Sequence, residues 1–185
     1  MRGIKTMKTI ALGITGSIAA YKAADLCSKL SKNKDIEIFV IMTKASLEFI
    51  GEQTLLTLSK NPVIKSLWEI PEWKPGHIAL ADKVDLFAIV PATANIIAKC
   101  ANGIADDALS TFALSHTAPT FIAPAMNPTM WANQATQNNV EILKERGVKF
   151  IGPDTGMVAC GDVGTGKLSD VDTIYQTILK ELNIS

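Results

Sequence analysis

Two hydrophobic periods alternate along the chain. Short, mostly apolar runs, TIALGIT at 9–15, IEIFVIM at 36–42 and LFAIV at 86–90, read as strands buried on both faces. TFIAPAM at 120–126 and VKFIGP at 148–153 read as a fourth and a fifth. Between them the apolar positions recur at helical spacing. Ala19, Ala23, Leu26 and Leu30 make one stripe, and Val171, Ile174, Ile178 and Leu182 make another. KASLEFI at 44–50 opens a helix after the second strand, and residues 93–115 read as two helical pieces broken at Gly103. The stretch 133–147 is a helix stopped by Gly147.

Strict strand–helix alternation predicts one α/β domain over residues 1–185, three layers deep, with a parallel sheet covered by helices on both faces. Residues 59–85, with three prolines and two tryptophans, break the pattern, and a connection that long is usually functional. Ligands of an open parallel sheet bind beyond the carboxyl ends of its strands. That rule gathers GITGS, MTKAS, PATAN, PAMN and GPDTGMVACGD at one edge, so a cleft is expected there.

Composition narrows the partners. The chain is 48% hydrophobic and 19% charged, which suits a packed domain, and its 18 Lys+Arg balance 18 Asp+Glu. Zero net charge removes the electrostatic case for nucleic acid and opposes self-association only weakly. Cys27, Cys100 and Cys160 are too few for a disulfide framework or a zinc site and read as reduced, cytoplasmic thiols. No apolar run reaches membrane-spanning length, and the N-terminal run flows into a glycine turn rather than a cleavage site.

The loops differ in chemistry. Gly13 and Gly16 allow a tight strand-to-helix turn, and Ser17 then sits near a helix start that favours an anion such as phosphate. Thr43 and Ser46 repeat that arrangement after the second strand. Gly161 to Lys167 has the G-x-x-x-x-G-K spacing of a phosphate loop, but Leu168 replaces the metal-binding hydroxyl and no crossover unit follows. His116 falls at a helix end, where a cationic ring would meet the dipole in a structural role. His77 shares the cleft edge with Asn127 and Cys160 and is a candidate for proton transfer. Cys27 and Cys100 sit among apolar helix residues and are expected to be inert. Cys160 stands apart, in the glycine-rich GMVACGDVGTGKL at 156–168 with no apolar bed to hold it.

Taken together, GITGSIAAYKAADL, PATANIIAKCANGIADDALS, PAMNPTMW and ACGDVGTGKL resemble the flavin-dependent cysteine decarboxylase family, over nearly the whole chain and in order. The resemblance implies a flavodoxin-like, Rossmann-like fold that binds FMN and assembles as a homotrimer or homododecamer with active sites between subunits. It implies flavin contacts from Gly16, Ser17 and Ile18, from Thr43, Lys44 and Ala45, from Thr93, Ala94 and Asn95, and from Ala123. The family's third motif usually reads Pro-Ala-Ser-Ala-Asn-Thr; Thr93 keeps its hydroxyl and Ile96 replaces its last threonine.

Within the family, the motifs resemble the stand-alone branch that converts phosphopantothenoylcysteine to phosphopantetheine in coenzyme A biosynthesis. There the substrate is oxidised to a thioaldehyde, loses carbon dioxide to give an enethiolate, and is reduced and protonated. By resemblance His77 assists the early proton transfers, Asn127 binds the substrate carboxylate, and Met130 lines that pocket. Cys160 supplies the last proton from a flexible flap near 153–169. Peptidyl-cysteine decarboxylases stop at the enethiol and generally lack the Cys160 motif; flavin prenyltransferases lack the PAMN and ACGD pair. Regulatory relatives that bind a phosphatase carry long acidic extensions, and this chain has none.

Overall fold

The computed structural model describes residues 7–68, 80–159 and 161–184. Five parallel strands form the central sheet: β1 (Lys8–Ile14), β2 (Ile36–Met42), β3 (Leu86–Ala92), β4 (Thr120–Pro124) and β5 (Lys149–Phe150). Their order is β2-β1-β3-β4-β5, the doubly wound flavodoxin-like arrangement. β1 lies inside the sheet and pairs from Lys8 opposite Ile36 to Ile14 opposite Met42 on one side, and from Ile10 opposite Leu86 to Gly13 opposite Ile89 on the other.

The two-residue period of the strands divides the core. Ile10, Leu12 and Ile14 of β1 and Leu86, Ala88 and Val90 of β3 face one layer, against α1 (Ala20–Ser31) and α7 (Val171–Glu181). Ala11, Phe87 and Ile89 face the other, against α3 (Ala94–Asn102), α4 (Ala108–Ser115) and α6 (Gln134–Glu145). Both faces are dry, and for that reason these strands are continuously apolar instead of alternating. Among the described residues, no helix is long and apolar enough to cross a membrane.

Local chemistry sets the helix ends. Asp107 and Ser110 form a reciprocal capping box at the start of α4, and the Asn133 side chain accepts from the Ala135 N–H at the start of α6. Gly103, at φ 69°, closes α3 in the left-handed conformation, as the break expected there requires. Burial works against the Asp107 carboxylate, but the Lys99 ammonium and the Ser110 donors outweigh it and hold its pKa below the ordinary aspartate value.

Several expected elements differ in detail. After β2 the chain makes a 3-10 turn over Lys44–Glu48, and only after Gly51 does α2 (Glu52–Ser59) begin. A five-residue helix, α5 (Pro128–Ala132), precedes α6, started by Asn127 and Pro128. β5 is two residues long because the sheet ends there and the chain leaves through Gly152 at φ 74°. Beyond it, the stretch expected to be an open loop is an antiparallel hairpin, β6 (Asp154–Met157) with β7 (Val163–Lys167). A strand pair with three glycines has no hydrophobic signature of its own; its backbone pairing and its docking onto α5 produce it.

His116 is structural for a different reason from the one expected. Its ring stacks on Phe112 at 5.2 Å and meets Phe87 edge-on at 4.8 Å. Burial pushes its pKa below the ordinary histidine value, against a weaker backbone contribution from Ala118, so the ring is neutral rather than cationic.

Candidate active site

The strand order reverses direction between β1 and β3, and the loops leaving those strands diverge to opposite faces of the sheet. A cavity of about 700 Å³ opens there, within the usual size range of small-molecule sites. The β1–α1 turn contributes Gly16, Ser17 and Ile18, and the loop after β3 contributes Thr93 and Ala94. The loop after β4 adds Ala125, Met126 and Asn127, with Met130 from α5. The hairpin covers the remaining side with Met157, Val158, Ala159, Gly161, Gly166 and Lys167.

Two of these loops are tied together by a residue that sequence reasoning missed. The Thr15 hydroxyl, 1% exposed, donates to the Pro91 carbonyl at 2.7 Å and accepts from the Thr93 N–H at 3.1 Å. The end of β1 is thereby pinned to the end of β3, and Thr93 is oriented to accept from the Ile96 N–H at the start of α3. Its only signal in the sequence is a hydroxyl at the end of an apolar run. Ile96 itself is buried in the core, which accounts for an aliphatic side chain there.

Gly16 is required by a close approach. A Cβ at that position would lie 2.6 Å from the Ala45 Cβ and 3.0 Å from the Ala45 carbonyl, so the β1–α1 turn rests directly on the loop after β2. Thr43 ties that loop back to β1 through its N–H on the Ile14 carbonyl. Thr43, Lys44 and Ala45 therefore flank the turn without lining the cavity. Asn95 is exposed on the first turn of α3, and Ala123 is buried inside β4, with Ala125 on the cavity wall instead. Gly16, Ser17, Ile18, Thr93, Ala94, Asn127 and Met130 are brought together around one space.

The hairpin and the loop after β4 are fitted to each other. The Met126 N–H donates to the Gly166 carbonyl at 2.9 Å. A Cβ on Gly166 would sit 2.3 Å from the Met126 carbonyl oxygen, and one on Gly164 would sit 2.7 Å from the Pro128 Cβ. These glycines permit backbone-to-backbone docking, a use the sequence alone did not disclose. The Asn127 side chain accepts from the Thr129 N–H at 2.8 Å and donates through Nδ2 to the Asp162 carboxylate at 2.7 Å. Its oxygen is thus committed to the helix cap while its N–H groups face a carboxylate.

Of the catalytic candidates, His77 and Cys160 lie outside the described residues. Ala159 and Gly161, the chain neighbours of Cys160, both line the cavity. The other thiols are unreactive: burial pushes Cys27 up to about 12, and burial with the Asp107 charge pushes Cys100 up to about 11.

The lining fits a flavin cofactor. Apolar walls from Ile18, Ala94, Ala125 and Met126 suit a flat ring, and the Gly16–Ser17 turn before α1, with the Thr93 cap, presents polar groups for a phosphate or ribityl chain.

Comparison with known proteins agrees with this geometry. The flavoprotein family matches residues 2–183. The chain is 46% identical over 178 residues to a probable phosphopantothenoylcysteine decarboxylase of Streptococcus mutans, covering 95% of this chain and 99% of that protein. It is 43% identical to the coenzyme A biosynthesis bifunctional protein CoaBC of Borreliella burgdorferi, covering 95% of this chain but only 45% of that longer protein. A mutant PPC decarboxylase complexed with pantothenoylaminoethenethiol superposes with a TM-score of 0.85 at 29% identity, covering 96% of this chain and 99% of that one. The FMN-dependent cysteine decarboxylase SpaF superposes with a TM-score of 0.81 at 27% identity, covering 96% and 99%.

Proposed function

The chain belongs to the flavoprotein family, and on that premise we propose that it is an FMN-dependent decarboxylase converting phosphopantothenoylcysteine to phosphopantetheine. The observation that carries this reading is the shared cavity. One space beyond the strand ends is bordered by the Gly16–Ser17 turn, by Thr93 and by Asn127, and is covered by Met157, Ala159 and Gly161 of the hairpin. We assign the cofactor as FMN, with Gly16, Ser17, Ile18, Thr93 and Ala94 holding it and Thr43 and Ala45 supporting the Gly16 turn from behind.

When bound, the flavin supplies a two-electron sink and returns the electron pair, making the carboxylate-bearing carbon able to release carbon dioxide. The side chains orient the substrate and move protons. Asn127 Nδ2 hydrogen-bonds the substrate carboxylate, a role its present contact with a carboxylate supports. A neutral amide orients that group without the full ion pairing that would stabilise the charge the reaction must discharge. Met130 packs beside the carboxylate end. His77 takes up and releases the proton in the early steps. Cys160 Sγ donates the final proton, a thiol being a far stronger acid than an alcohol or water. The hairpin excludes water from that step.

The functional unit is a single domain over residues 1–185, acting as a homotrimer or homododecamer with sites completed by neighbouring subunits. Exposed apolar side chains around the cavity support that assembly: Ile18, Tyr21, Met130 and Met157 are 57%, 62%, 49% and 69% exposed.

The test is decarboxylation of phosphopantothenoylcysteine by the yellow, flavin-bound protein, with the product identified by mass. Wild type should release phosphopantetheine. Cys160→Ser should release carbon dioxide yet give a product lighter by two hydrogens. Saturated product at the normal rate from that variant removes the proton-donor role, and no carbon dioxide from the wild type removes the whole reading.

A further inference from the structure

The charged side chains among the described residues that line the cavity are of one sign. Lys22 from α1 and Lys167 from β7 line it, and among the described residues no aspartate or glutamate does. Lys8, Lys29, Lys65, Lys99, Lys144 and Lys149 each reach a carboxylate, but neither cavity lysine pairs with any described residue. The hairpin's own acids are turned elsewhere. Asp154, opposite Lys167 in the strand register, accepts from the Ser169 hydroxyl at 2.7 Å, and Asp162 accepts from Asn127. The Lys167 stem runs across Gly156: a Cβ there would lie 3.3 Å from its Cδ and 3.8 Å from its Nζ. A glycine on β6 thus keeps open the lane along which this lysine lies.

Unpaired cations beside an apolar cavity call for an anionic ligand. We propose that Lys167 and Lys22 form the subsite for the terminal phosphomonoester of the substrate, an inference that rests on the decarboxylase reading above. That substrate has two anionic ends with opposite requirements. Its carboxylate must lose its charge and is met by the neutral Asn127; its phosphate is a dianion that does not react, so cations there can spend binding energy on positioning the reacting end. The G-x-x-x-x-G-K spacing ending at Lys167 is therefore no phosphate loop, since it lies in a hairpin and not before a helix, yet its lysine acts on a phosphate as a point charge. The flavin also carries a phosphate, which the Gly16–Ser17 turn is placed to receive.

Lys167→Gln and Lys22→Gln, purified with flavin bound, are assayed with phosphopantothenoylcysteine and with its dephosphorylated analogue pantothenoylcysteine. In parallel they are titrated calorimetrically with phosphopantetheine and pantetheine. Loss of a charge-assisted phosphate contact should lower kcat/KM for the phosphorylated substrate roughly tenfold to a hundredfold, mainly through KM, and weaken phosphopantetheine binding alike. The dephosphorylated compounds should change less than about twofold, and Lys167→Arg should restore most of the loss. Equal losses on both substrates, or none, overturn the subsite. Weaker binding of FMN but not of riboflavin assigns the lysines to the cofactor and overturns it too. A wild type that decarboxylates neither compound removes the parent reading and this one with it; a wild type that turns over both, with variants unchanged, removes the subsite alone.

Discussion

Thr15→Val tests whether the pin between β1 and β3 organises the site. Valine keeps the β-branched shape and removes only the hydroxyl. The Thr93 N–H then loses its acceptor and the Pro91 carbonyl its donor, at a position 1% exposed. Leaving a buried polar group unsatisfied costs about 1–3 kcal/mol, so the two together cost about 3 kcal/mol. The added methyl returns about 0.8 kcal/mol if it packs, leaving a net loss of about 2 kcal/mol. For a domain of this size that lowers Tm by about 4–8 °C. Thr15→Ser is the control: it keeps the hydroxyl, loses one methyl and should cost about 1 kcal/mol. Urea unfolding and fluorescence titration with FMN measure the two effects. The valine variant should be less stable than serine and should also bind FMN more weakly, because Thr93 is no longer held. Equal stability of the two, or a valine variant within about 0.5 kcal/mol of wild type, would show that the pin carries no energy.

Other perturbations probe separate links. Gly166→Ala would place a Cβ 2.3 Å from the Met126 carbonyl at a φ of 157°, so the hairpin should undock from α5. Activity should be lost while Tm falls by only a few degrees, and faster proteolysis within 154–167 reads the undocking directly; unchanged cleavage and activity refute it. His116 is held below its ordinary pKa by burial, so the unfolded chain binds more protons as pH falls through about 6.5. Its contribution to stability is therefore complete above that pH and is lost as pH drops toward the folded pKa. His116→Phe should flatten the fall in denaturation midpoint between pH 7.5 and 5, and an unaltered slope would contradict the burial argument. Asp107 should lose its contribution only below about pH 3.9, as the pH falls toward its depressed folded pKa, because its interactions favour the ionised form. A plateau from pH 7 down to about 4.5 in the difference between wild type and Asp107→Asn checks that sign.

Much of the fold was legible because its signals are local. The apolar runs at 9–15 and 86–90 meet water on neither face, the run at 36–42 is buried but for Glu37 and Phe39, and the stripe through Ala23, Leu26 and Leu30 follows from the helical repeat. Strand ends bearing glycine, hydroxyl and amide residues also pointed to one edge, and Gly16, Ser17, Thr93 and Asn127 do meet there. The hairpin was not legible, since Gly156, Gly164 and Gly166 read as looseness until Pro128 and Met126 are seen lying against them.

The order of hydrophobic and polar residues thus determined the elements, the alternation that wraps both faces of the sheet, and which loops share an edge. Only tertiary structure decided that Thr15 pins two of those loops, that His116 is neutral between two phenylalanines, and that Lys167 and Lys22 border the same cavity. The physical reason is distance along the chain: Thr15 meets Pro91, and Gly166 meets Met126, through contacts that no local period records.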